Sequence, residues 1–171
     1  MEEILGTHEI PFAFNSEGLS VSLKKDGGRI LYNRDLCGED IEKIIFGSPK
    51  TFEIHPVEPV NLPDRVTHYM LINFKNKIVA GPKMNRKIYL KFPIEAGVFV
   101  AGSKEWGLLD VFSLEAQKYT LYGSPRGGVV CRHYKSPVFD ERPENDPIKE
   151  GILELQIKNN SGLWVELRKV V

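Results

Sequence analysis

Between Tyr119 and Lys135 the chain reads Tyr-Thr-Leu-Tyr-Gly-Ser-Pro-Arg-Gly-Gly-Val-Val-Cys-Arg-His-Tyr-Lys. Two short β-forming runs bracket Gly123–Gly128, with Arg126 directly before Gly127 and Gly128, and Arg132, His133 and Lys135 follow. Adjacent glycines can turn their backbone N–H groups toward an anion, and a guanidinium adds a fork of donors, which is the physics of a phosphate nest. Arg126, Gly127, Gly128 and Arg132 are therefore the candidate ligand-binding residues. The segment is not a P-loop, because Val129 and Val130 stand where Lys and Ser/Thr must be. It is not a nucleophile elbow either, since Ser124 directly follows Gly123. The competing reading is a glycine-rich hairpin turn.

Asp110 and His133 are the alternative catalytic pair, as acid and base. Strand alternation groups Asp110 with Leu108, Phe112 and Leu114 on a face that should be buried. A buried carboxylate must find a partner, and Arg126 or Arg132 is the expected one. An ion pair pinning two strands is the simpler reading of it. His8, His55, His68 and His133 show neither i, i+2 nor i, i+4 spacing, so no metal site is expected. Cys37 and Cys131 lack a second ligand at metal spacing and are expected as two buried thiols, with a disulfide as the alternative. No cofactor motif is present. Trp106 and Trp164 are expected as core and edge aromatics.

The elements that must position these residues are strands. Leu19, Val21 and Leu23 alternate with polar residues, Asp26-Gly27-Gly28 turns the chain, and Ile30 and Tyr32 begin the return. Ile41, Ile44 and Ile45 follow helical spacing behind acidic residues, so 40–46 is expected as one short helix. Further strands are expected at 52–55, 69–74, 78–80, 87–92, 97–101, 108–114, 119–122, 129–134, 152–157 and 163–170. Pro59 and Pro63 should keep 57–64 as an extended connection. The last two strands are expected to form a hairpin across Asn159-Asn160-Ser161-Gly162, whose glycosylation sequon is read as a turn. The acidic loop from Pro137 to Pro147 has too few apolar residues to pack. A chain stopping at Val170-Val171 either tucks its last strand inside or continues in a longer protein.

These short strands, spaced by turns rather than crossover helices, predict an all-β, mostly antiparallel β-sandwich with one short helix, a barrel being the alternative. It is expected as one domain over 1–171, its first fifty residues packing on the rest. Lysine plus arginine (23) equals aspartate plus glutamate (23), which disfavours nucleic acid as a partner. Apolar residues at 42% and charged residues at 27% exclude disorder and coiled coil. Membrane insertion and a secretory signal are not expected, leaving the cytoplasm as the default compartment. Glutamate and lysine are abundant and glutamine occurs only at Gln117 and Gln156, a bias of heat-adapted proteins.

At 33–45, 55–63 and 119–135 the chain resembles a family of small archaeal proteins without an assigned activity. The resemblance implies an archaeal cytoplasmic protein and carries over no functional residue. The reading from the residues is a non-catalytic binding or scaffolding module. Its partner would be a protein or a small anionic ligand, met through the Gly-Arg loop or an exposed strand edge. The alternative is a small hydrolase or ligand-binding enzyme using Arg126, His133 and Asp110 on an anionic substrate.

Overall fold

The structure, a computed structural model, describes residues 4–61, 66–102 and 105–171. The described residues form fourteen strands and no helix: β1 (Gly6–Glu9), β2 (Phe12–Ser16), β3 (Leu19–Asp26), β4 (Arg29–Leu36), β5 (Glu39–Phe46), β6 (Thr51–Val57), β7 (Met70–Ala80), β8 (Asn85–Pro93), β9 (Glu95–Ala101), β10 (Trp106–Phe112), β11 (Tyr119–Tyr122), β12 (Val129–Ser136), β13 (Glu150–Lys158) and β14 (Val165–Val170). Pairing is antiparallel except for β12 beside β7, and no sheet of the described residues closes into a barrel. The chain gathers into two compact units. One takes the chain through Val57 with Ala96–Leu114, the other Glu58–Glu95 with Glu115–Val171.

The first unit is a sandwich of two four-stranded sheets, ordered β2-β3-β4-β5 and β1-β6-β9-β10. Period-two alternation buries Val21, Leu23, Ile30 and Tyr32 of one sheet and Phe52, Ile54, Val98 and Phe112 of the other. Phe12 of one sheet meets Phe52 of the other edge-on at 5.1 Å. The expected helix at 40–46 is instead β5. Cys37 (φ 51°) and Gly38 (φ 89°) form a two-residue left-handed turn that matches hairpin twist and sends the chain straight back along β4. Seven residues are too few to hold a helix against that pairing, and β-branched isoleucines suit a strand. Cys37, expected buried, is consequently exposed in the turn, while Cys131 is buried; both are free thiols.

The second unit sets the sheet β11-β12-β7-β14 beside the ribbon β13-β8. Its core is Ile72, Ile88, Leu90 and Tyr134, with Leu153, Leu155 and Ile157 of β13 packed against it as their alternation requires. The runs expected at 69–74 and 78–80 fuse into the single long strand β7. The expected terminal hairpin does not form, since β13 pairs with β8 and β14 with β7. Asn159 decides this. Its buried amide donates to the carbonyls of Ala80, Gly81 and Leu163 at 3.1, 2.9 and 2.8 Å, and its Oδ1 accepts from the Ser161 amide and hydroxyl. The chain is thereby tied to the β7–β8 connection before β14 begins. The sequon asparagine is spent on structure. The acidic loop is not wholly solvated either, because Phe139 exchanges backbone hydrogen bonds with Tyr89 and Val138 joins the core. Of the expected connection at 57–64, Val57 closes β6 and 62–64, with Pro63, lie outside the described residues. Trp106 and Trp164, expected in the core or at its edge, are both exposed. No helix of the described residues is long and apolar enough to cross a membrane.

Candidate functional site

Strands β11 and β12 pair from Tyr119↔Arg132 to Tyr122↔Val129, which leaves Gly123–Gly128 as the connecting loop. The loop is closed by Ser124. Its carbonyl accepts from the Gly127 amide at 3.3 Å and the Gly128 amide at 2.7 Å, and its hydroxyl accepts from Gly127 at 3.2 Å. The two amides expected to cradle an anion are thus hydrogen-bonded inside the loop, and Arg126 stands exposed at its tip. Glycine is needed here for space. A Cβ on Gly128 would meet the Ser124 and Tyr122 carbonyl oxygens at 2.7 and 2.8 Å. Gly128→Ala is expected to destabilise by about 1–3 kcal/mol, read by urea unfolding. A loss below about 0.5 kcal/mol would show that the turn reshapes freely.

Alternation along β12 separates Arg132 from His133. Arg132 is turned inward and 1% exposed, where its Nη1 donates to the Thr67 carbonyl and its guanidinium lies 5.9 Å from the Tyr119 ring centre. The Thr67 hydroxyl donates in turn to the Val130 carbonyl at 2.6 Å. Arg132 therefore ties the segment before β7 onto β12 and does not stand beside Arg126 at the surface. Tyr134, further along the strand, has its phenol pushed up to about 12, first by burial. Burial also raises the Cys131 thiol. His133 points to the other side, where the Asn73 amide donates to its Nε2 at 2.8 Å and so uses that nitrogen as an acceptor.

Asp110 is buried as its strand phase predicts, but neither expected arginine is its partner. The Tyr32 hydroxyl and Arg34 Nε both donate to its Oδ2 at 2.7 Å, and Lys43 Nζ lies 3.5 Å from Oδ1 while also donating to the Leu109 carbonyl at 2.5 Å. Arg34 also lies 5.5 Å from the Phe112 ring centre. Burial first, then the hydrogen bond and charge of Asp110, hold the Tyr32 phenol protonated far above its usual range. These partners come from β4 and β5, facing β10 within the first unit. A sequence signal existed: Arg34 keeps the inward phase of Ile30 and Tyr32. Leu108, expected on Asp110's face, is exposed because a β-bulge between the two shifts the alternation.

Of the two residues nominated for catalysis, Asp110 is hydrogen-bonded within the first unit and His133 within the second. Among the described residues no three His, Cys, Asp or Glu side chains stand close enough to hold a metal ion. What the hairpin does present is apolar surface. Tyr119, Leu121, Tyr122, Val129 and Val130 are all exposed, and Lys169 Nζ sits 4.8 Å from the Tyr122 ring centre. No periodic pattern announced them, because strand alternation predicts one buried face and here both faces are open. Neither a curated protein nor a solved structure matches this chain. Residues 4–171, nearly its whole length, match DUF432, a family described as proteins of unknown function, and the chain belongs to that family.

Proposed function

We propose that the chain is a non-catalytic binding module that captures an extended, acidic and apolar segment of a partner protein along the β11–β12 hairpin. The observation that carries this reading is five large apolar side chains exposed on one hairpin whose outer strand, β11, ends its sheet. A sheet edge offers backbone donors and acceptors to an added strand, and exposed side chains beside it supply the specificity. Charge sets the partner's chemistry. Residues 117–135 hold Lys118, Arg126, Arg132 and Lys135 and no acidic residue, and Arg126 at the loop tip suits a partner carboxylate through its fork of donors. The internal pairing of Asp110, His133 and Arg132 favours this over the small hydrolase. A cytoplasmic, archaeal setting belongs to the same reading, supported by the glutamate and lysine bias.

The test is fluorescence anisotropy with two labelled hexapeptides, alternating Glu-Val and alternating Lys-Val. The acidic peptide is expected to bind and the basic one not, and Leu121→Asp with Arg126→Glu should abolish binding. Failure of the acidic peptide to bind, or binding that survives the double variant, overturns the proposal. Dimerisation of the chain alone through β11, seen by sedimentation and removed by Leu121→Asp, would assign the surface to a second copy and equally overturn it.

A further inference from the structure

The anion chemistry that the sequence suggests for Gly123–Gly128 is assembled elsewhere, at one end of the first unit. There the β3–β4 turn and the β5–β6 loop enclose a cleft of about 270 Å³, lined by Lys25, Gly27, Gly28, Arg29, Ser48 and Lys50 among others. We propose that this cleft binds a phosphoryl group.

Three cations line the cleft with no acid among its lining residues, and Asp26 pairs with Arg29. In a chain whose charges cancel overall, that is a local excess of positive charge. Asp26 engages Arg29 through Nε at 2.8 Å and Nη2 at 2.7 Å. This orients the guanidinium while leaving its other N–H donors for a ligand. Lys25 and Lys50 have no ion-pair partner among the described residues. The walls are held in place. Gly27 takes φ 60° and Gly47 φ 148°, turns that glycine accommodates without a side chain closing the cleft. The Lys50 carbonyl accepts from the Ile10 amide at 2.9 Å, which fixes the β5–β6 loop on the body of the unit. The Ser48 hydroxyl adds a donor that rotates to suit an oxyanion.

Size narrows the ligand. A cleft of this volume is smaller than the pockets that engulf whole cofactors, so it suits a phosphate with little else inside.

The experiment titrates inorganic phosphate, adenosine and adenosine monophosphate into the full chain at low ionic strength, by calorimetry and by amide chemical shifts. Phosphate and the nucleotide are expected to bind, both shifting the Gly27, Gly28 and Ser48 amides, and adenosine is expected not to. Lys25→Glu with Lys50→Glu should weaken both ligands at least tenfold. These side chains are exposed, so unchanged thermal unfolding of the variant checks its fold. Absence of binding, shifts confined to other residues, or undiminished affinity in the charge-reversed variant overturns the proposal.

Discussion

Asp110→Ala is expected to lower stability by about 3–5 kcal/mol, measured by urea unfolding. Asp110 is the shared acceptor of Tyr32 and Arg34 in a buried setting, with Lys43 at the margin. Removing it leaves a guanidinium 5% exposed with its carboxylate gone, and a phenol at 0% exposure without its acceptor. An uncompensated buried charge costs far more than the methylenes lost with it. The same reasoning predicts a rescue. Asp110→Leu combined with Arg34→Met and Tyr32→Phe removes charge, donors and acceptor together, and should recover most of the loss, because apolar replacement of a whole buried network is often near neutral. A single-variant loss under about 1 kcal/mol would mean that Arg34 reaches water, and the network would then not be what joins the two sheets. A triple variant no more stable than Asp110→Ala would show that the cost lies in packing.

In the second unit the largest effect is expected at Leu90. It is 0% exposed at the centre of the cluster with Ile72, Ile88 and Tyr134, so Leu90→Ala should cost about 2–5 kcal/mol through lost transfer energy and the cavity left behind. Leu155 belongs to the same core but is only half-buried. Leu155→Ala should therefore fall at or below the lower end of that range, since its site can relax toward solvent. Chemical unfolding of both variants tests the order as well as the size. A Leu155 variant that loses more than the Leu90 variant would mean that the ribbon β13-β8 packs more deeply than its exposure indicates.

The strands themselves were legible in the sequence, because their information is local. Val21, Leu23, Ile30 and Tyr32 announce an inward face by alternation alone, and Gly27 and Gly28 mark a reversal by what their backbone allows. Leu153, Leu155 and Ile157 likewise declared their buried side correctly. Where two periods overlapped, as in Ile41, Ile44 and Ile45, local pattern was ambiguous, and the Cys37-Gly38 turn with its β4 pairing decided for a strand.

What only the tertiary structure decided is who meets whom. Asp110 advertised a buried charge in need of a partner, yet its partner came from a strand 76 positions away, and the inward phase of Arg34 marks it as buried without saying which carboxylate it meets. The terminal segments looked like a hairpin because adjacent strands usually pair, but the Asn159 amide bonds, worth little singly, tie the chain to Ala80 and Gly81 and send β14 to β7. A one-residue bulge after Leu108 moved that side chain into solvent, a shift that alternation cannot foresee. The glycines of Gly123–Gly128 and of Gly27-Gly28 read alike as sequence. Whether their amides turn inward to a neighbouring carbonyl or line an open cleft depends on which lysines and which loop the fold lays beside them, a property of the folded chain that no window of sequence contains.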